Sequence, residues 1–298
     1  MAEMDLISYL EVDTDSTPTD AGGVTHGDTA AVGSDHVADA DYKLQHGRRY
    51  HAFRDSKYSL PNDSKESELQ HRVWQLSLSD RLHLAPLGPN TPRTLDIGCG
   101  TGAWVLEFAA RYPHSHVTSI DLSAIQPTTT PPNVNFEISD IWTIAIGVND
   151  WPKLVTNIWE NLEPGGWVEF QELLSPFYCD DDTMPPAFRL WNETFPVATA
   201  KVVLRLEAIL GVPPLLEERG FVALGSATTK WPLGPWAKGE REKQIGAVFQ
   251  ESLCVMGWTE DAVRQHIVKV ENEIRAGGTH AYINVNFLWA QKPHDATK

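Results

Sequence analysis

Cysteine is scarce in this chain: three residues among 298 (Cys99, Cys179 and Cys254), with no CxxC pair. An odd, scattered set excludes a disulfide scaffold and fits reduced thiols in the cytoplasm or the nucleus. Long apolar runs are missing too. No stretch approaches the ~18 residues that a membrane span requires, so no membrane-spanning role is expected. The N-terminus shows no positive region followed by an apolar one, so secretion is not expected. Cations are outnumbered, 24 Lys+Arg against 40 Asp+Glu, for a formal net charge of −16. A protein that grips nucleic acid directly needs a basic face to neutralise phosphates, and that class is excluded. No G-x-S-x-G elbow and no P-loop occurs. His114-x-His116 lacks further ligands at usable spacing, and Asp180-Asp181-Asp182 reads as a solvated run of like charge, so no metal site is expected.

Hydrophobic residues make up 42% of the chain, enough for a real core. The acidity is uneven: residues 1–42 carry ten acids and no Lys or Arg, which places −10 of the −16 there. With little apolar surface to offset the entropy of ordering, residues 1–46 read as a disordered acidic tail. Its one apolar patch, Leu6-Ile7-Ser8-Tyr9-Leu10, reads as a chance cluster rather than a docking motif. One domain is then expected over 47–298.

Periodicity predicts a helix over 64–82, with Leu69, Val73 and Leu76 on one stripe. After a Pro- and Gly-broken stretch, 94–97 reads as a strand that runs into Gly98-Cys99-Gly100-Thr101-Gly102 and a helix over 103–112. Strands over 117–121 and 134–138 follow. The clearest helix is 151–162: Trp151, Leu154, Val155, Ile158, Trp159 and Leu162 form one stripe, with Asp150 as cap and Pro152 in the first turn. A strand over 167–171, helices over 186–210, 239–255 and 259–276, and a last strand over 282–289 complete the reading. This alternation predicts an α/β fold with a doubly wound, mostly parallel sheet.

The chemistry is concentrated at the glycine turn. Gly98, Gly100 and Gly102 let backbone turn tightly and approach a ligand, and the helix that begins there offers free N–H groups and a positive dipole end. Asp121 ends the next strand, where a carboxylate can accept both hydroxyls of a ribose. Asp140, after the third strand, is placed to meet an adenine amino group. Gly98-x-Gly100-x-x-Ala103 also satisfies a dinucleotide fingerprint, so NAD and a plain tight turn stay open as alternatives. Asp96 tips the balance, because a carboxylate there opposes a pyrophosphate but suits the cationic α-amino and sulfonium groups of S-adenosylmethionine.

Leu95-Asp96-Ile97-Gly98-Cys99-Gly100-Thr101-Gly102 resembles the first motif of class I methyltransferases. Gly47-Arg48-Arg49-Tyr50-His51, Asp121-Leu122-Ser123-Ala124-Ile125-Gln126-Pro127, Asp150-Trp151-Pro152-Lys153-Leu154, Pro164-Gly165-Gly166-Trp167-Val168-Glu169 and Lys230-Trp231-Pro232 together resemble the LaeA-like methyltransferases of filamentous fungi. The resemblance covers about 47–293. It implies a seven-stranded Rossmann-like sheet and S-adenosyl-L-methionine as cofactor, in a protein of secondary-metabolite biosynthesis or its regulation. It also implies that Asp96, Gly98, Gly100 and Gly102 line the methionine end, Asp121 the ribose and Asp140 the adenine, with Tyr50 a further contact. Only nine residues separate Asp140 from Asp150, so the fourth strand of the family is expected to be shortened or missing.

No catalytic residue is assigned from the sequence. Methyl transfer demands alignment first and a base only for poor nucleophiles. Glu172 and His280, near strand ends, are the weak candidates for a base, against plain structural roles. Trp142, Trp231, Trp236 and Trp258 are unpatterned; they would line a pocket for an aromatic substrate or simply pack. The expected function is a methyltransferase acting on a small molecule in fungal secondary metabolism. The alternative is a methyltransferase-fold accessory protein without transfer activity. It would steer an intermediate or regulate the pathway through protein partners.

Overall fold

A computed structural model describes residues 6–7, 9–14, 42–45, 48–51, 64–121, 123–138, 150–201, 207–255 and 261–296. The chain opens with an antiparallel hairpin of β1 (Tyr42–Gln45) and β2 (Arg48–His51). Helix α1 (Ser64–Ser77) follows. It stops short of residue 82 because Ser79 and Asp80 turn into left-handed conformations, with φ of 52° and 60°, which end the helical path.

Then come β3 (Arg93–Ile97), α2 (Ala103–Arg111), β4 (His116–Asp121) and β5 (Val134–Ile138), all within a residue or so of their expected bounds. The three strands pair in parallel, with β4 in the middle. Helix α3 (Trp151–Asn161) begins at the expected Asp150 cap, whose side chain accepts the Lys153 N–H at 2.9 Å. Strand β6 (Trp167–Tyr178) runs well past residue 171. The expected helix over 186–210 is α4 (Pro186–Lys201). A 3-10 turn at Ala208–Gly211 then leads into α5 (Val212–Arg219).

Strand β7 (Val222–Pro232) has no counterpart in the sequence reading, because its small residues blur the alternation. Gly225, in its middle, makes room for the Trp289 indole packed against it. Helices α6 (Glu240–Val255) and α7 (Asp261–Arg275) lead to β8 (Tyr282–Gln291). This last strand inserts antiparallel between β6 and β7. The parallel character expected for the sheet therefore belongs to β3–β5, and the second half is antiparallel. The expected shortened fourth strand falls on residues 139–149, outside the described residues.

Side chains of β8 alternate between two cores. Ile283, Val285 and Phe287 join Val73, Phe188, Trp231, Ile245 and Phe249, while Leu288 and Ala290 join Leu154, Val155, Val212 and Leu216. A smaller core of Leu82, Val105, Phe108, Val117 and Val134 backs the parallel half. The halves are tied by Glu169 of β6, whose carboxylate accepts the N–H groups of Leu84 (2.8 Å) and Ala85 (2.6 Å).

Part of the segment read as a tail from the sequence is described, at residues 6–7 and 9–14. Ile7 is buried at 4% exposure, and residues 11–13 pair with residues 236–238. One buried apolar side chain and a few backbone bonds hold that stretch against the domain.

Candidate functional site

Strand β3 ends at Ile97, and the chain turns through Gly98, Gly100 and Gly102 with φ of 84°, 53° and 82° before α2 starts. All three sit in the left-handed region that L side chains avoid. Their surroundings differ. A Cβ at Gly98 would meet no described residue within 4 Å, so none of these covers this end of the turn. At Gly102 a Cβ would stand 2.5 Å from the Phe136 ring, so this glycine serves close packing of the α2 start on β5. Above Gly100 the nearest group is Ser67 Oγ of α1, 3.5 Å from where a Cβ would lie.

The turn is held by side chains. Asp121, at the end of β4, accepts the Gly100 N–H at 2.8 Å and the Ser123 N–H at 2.9 Å. Gln126 donates to the carbonyls of Gly100 (2.7 Å) and Ser123 (2.8 Å). Asp96 lies beneath the turn and accepts a 3.0 Å hydrogen bond from the buried Ser119 hydroxyl. Burial pushes its carboxyl up to about 6, against the Ser119 bond, which pulls the other way. Burial likewise pushes the Cys99 thiol up to about 12, which rules it out as a thiolate nucleophile at neutral pH. Helix α1 is bound to α2 from the side: His71 Nε2 lies 3.2 Å and Gln75 Nε2 2.7 Å from Glu107, which Arg111 also meets.

The structure thus brings Asp96, Gly98, Gly100, Gly102 and Asp121 into one turn. Asp140 lies outside the described residues, as do Trp142 and Trp258. Tyr50 is on β2, on the hairpin preceding α1. The two candidate bases do not join this cluster. Glu172 sits in the middle of β6, paired with Asn286 of β8, and its carboxylate makes no hydrogen bond or ion pair to any described residue. Burial alone pushes its carboxyl up to about 7. His280 lies at the mouth of β8, where its ring meets Asp181, its N–H donates to Thr183 Oγ1 at 2.8 Å, and Trp236 packs at 5.1 Å. Burial raises Asp181, but the bonds from His280 and Thr183 outweigh it and hold the carboxyl below the usual range. His280 is therefore tied to the 181–183 loop by hydrogen bonds. Trp231 packs in the core, edge-on to Trp74 at 4.7 Å, rather than lining an open pocket.

Gln126, Ser119 and Ser67 were not singled out from the sequence. Gln126 lies within a quoted motif, and its fixed offset from Asp121 was the available signal. No group of three or more potential ligands to a metal occurs among the described residues. No described helix is long and apolar enough to cross a membrane.

A parallel β–α–β unit with a glycine turn after its first strand, acids ending that strand and the next, and a β6-β8-β7 antiparallel sheet alongside define a class I methyltransferase fold. A family model described as a methyltransferase domain matches residues 69–200. Methyltransferase pytC of Aspergillus terreus is 32% identical over 288 residues, covering 85% of this chain and 89% of that one. Secondary metabolism regulator LAE1 of Cochliobolus heterostrophus is 30% identical, covering 84% of this chain and 94% of the relative. Protein-methionine methyltransferase laeA of Emericella nidulans is 29% identical, covering 84% and 76%. The chain belongs to the LaeA-like methyltransferase family.

Proposed function

We propose that this protein is an S-adenosylmethionine-dependent methyltransferase acting on a small molecule of fungal secondary metabolism. The observation that carries the reading is the Gly98–Gly102 turn. Three left-handed glycines leave the space above Gly98 unfilled by any described residue, and a desolvated carboxylate, Asp96, lies two residues before it at the end of β3. That donor set fits the cofactor. The open backbone admits its methionine end, and Asp96 meets a cation, whose field would bring the carboxyl back down. Asp121 would take the ribose by sharing oxygens that now accept Gly100 and Ser123. When bound, the cofactor supplies an electrophilic methyl group on a sulfonium. The protein's part is alignment of the acceptor and exclusion of water. Kinship with methyltransferase pytC favours a biosynthetic role.

A second reading rests on a specific observation: both oxygens of Asp121 are already satisfied within the protein, as in a turn kept for its shape alone. In that case the protein acts without methyl transfer. It would work through partners, in line with relatives named as regulators of secondary metabolism. Calorimetric titration with S-adenosylmethionine and S-adenosylhomocysteine separates the two. The enzyme reading expects micromolar binding of both, lost in Gly98→Val; absence of binding at millimolar ligand overturns it.

A further inference from the structure

The N-terminal segment docks on the domain through a few backbone bonds and one isolated β-bridge. Ile7 donates its N–H to Thr229 Oγ1 at 3.1 Å, and its carbonyl accepts the Lys230 N–H at 2.9 Å. Farther along, Val12 bridges Ala237 in antiparallel fashion. Lys238 donates to the Glu11 carbonyl at 2.9 Å, and Asp13 donates to the Trp236 carbonyl at 3.0 Å. Two acids of the segment meet cations of the domain, Asp13 with Lys243 and Glu11 with Lys238. Ile7 thus meets β7, the outer strand of its sheet among the described residues, and residues 11–13 pair with 236–238 just beyond the end of that strand. It is lightly held: Ile7 is its one fully buried side chain among the described residues, while Tyr9 is 73% exposed. One buried side chain and a few edge bonds, set against the entropy of ordering the segment, leave docking near balance.

We propose that residues 6–7 and 9–13 are an intramolecular ligand of the β7 edge at Lys230 and of the loop at 236–238, and that their docking sets α1 over the glycine turn and thereby the affinity of that turn for the cofactor. The path is contiguous. Ile7 pairs with Lys230; the next residue, Trp231, packs edge-on against Trp74 of α1 at 4.7 Å. Two turns earlier on α1, Ser67 stands over Gly100. On the same helix His71 and Gln75 bond Glu107 of α2, the helix that springs from the turn. Ile7 and Leu10 belong to the same core as Val73 and Trp74, so releasing the segment removes packing from the buried side of α1. Its cofactor clause rests on the function proposed above.

By linkage, whatever the segment does to cofactor affinity the cofactor does to segment docking. The test compares the full chain, the full chain carrying Ile7→Asp, and a chain lacking residues 1–14. A synthetic peptide of residues 4–14 is added back to the last. Two readouts are taken: S-adenosylhomocysteine affinity by calorimetry, and hydrogen exchange of amides in residues 64–77 and 98–102. Both altered chains are expected to bind about five- to twentyfold more weakly and to exchange faster at those amides, and saturating peptide is expected to restore both. Unchanged affinity and unchanged exchange in Ile7→Asp overturn the proposal. Should the full chain itself bind no S-adenosylhomocysteine, the enzyme reading falls. The exchange comparison then still decides this one, unaltered protection in Ile7→Asp being the overturning result. A truncated chain that loses affinity but does not regain it with peptide also counts against it.

Discussion

The two halves of this molecule are held together in different ways. In the antiparallel half, β8 is buried on both faces: Ile283, Val285 and Phe287 on one side, Leu288 and Ala290 on the other, all at 3% exposure or less. In the parallel half, Leu95 of β3 and Ile138 of β5 stand 55% and 59% exposed, and the backing core is small. There the turn is fixed by directed bonds from Asp121 and Gln126 rather than by apolar packing. The contrast places the larger apolar cores in one half and the glycine turn in the other. The N–H groups of Gly98, Gly100 and Gly102 are each bonded within the protein, to the Ile120 carbonyl, the Asp121 carboxylate and the Cys99 carbonyl, so the turn is pinned from its flanks.

Breaking the packed half should produce the largest effect. Phe287→Ala is expected to cost about 3–5 kcal/mol, read by urea unfolding, because the ring is fully buried between Trp74 and its neighbours. Gly102→Ala comes next. The left-handed φ costs about 1–2 kcal/mol, and the Phe136 ring must also move. Cofactor binding should fall much further than the melting temperature does.

Glu172→Gln sharpens the comparison from the other side. Its carboxyl is raised from 4.5 to about 7, so the folded state holds the proton more tightly than the unfolded state. Stability contributed by that group is complete below the unfolded value and is lost as pH rises through about 7. The variant is expected to raise stability by about 1–2 kcal/mol at pH 8 and to change little at pH 4, as thermal melts at the two pH values would show. A loss of stability at pH 8 would assign the carboxylate a partner.

The smallest effect is at Asp96. Raised to about 6, this group must ionise to meet a cation. Cofactor affinity should therefore strengthen as pH rises from 5 to 7, by about tenfold, and Asp96→Asn should flatten the profile.

Local pattern carried α3 from residue to structure. Its apolar stripe put Leu154 and Val155 in the core, and Asp150 caps it as the side-chain chemistry requires. The glycine turn was equally legible, since only glycine tolerates those three φ values in succession. Strand β7 was not. Its weak alternation acquires meaning only against β8, which is some fifty residues away in sequence and supplies the hydrogen bonds. Nor was Glu169 legible as the tie between the halves: its partners are backbone groups 84 and 85 residues back, and no pattern announces them. Both candidate bases were chosen for their proximity to strand ends. Tertiary contacts then separated them, engaging His280 with Asp181 and leaving Glu172 unpartnered among the described residues.

By itself, then, the sequence determined the α/β class, the glycine turn with its two acids, and the family. These depend on short-range steric and capping rules that act within a few residues. Only the tertiary structure decided where Asp121 spends its oxygens, which strand β8 pairs with on each side, and that Ile7 of an acidic N-terminus lies in the core. Those outcomes depend on which surfaces meet across long sequence separations. There, apolar burial and the pairing of a free strand edge prevail over what local composition favours.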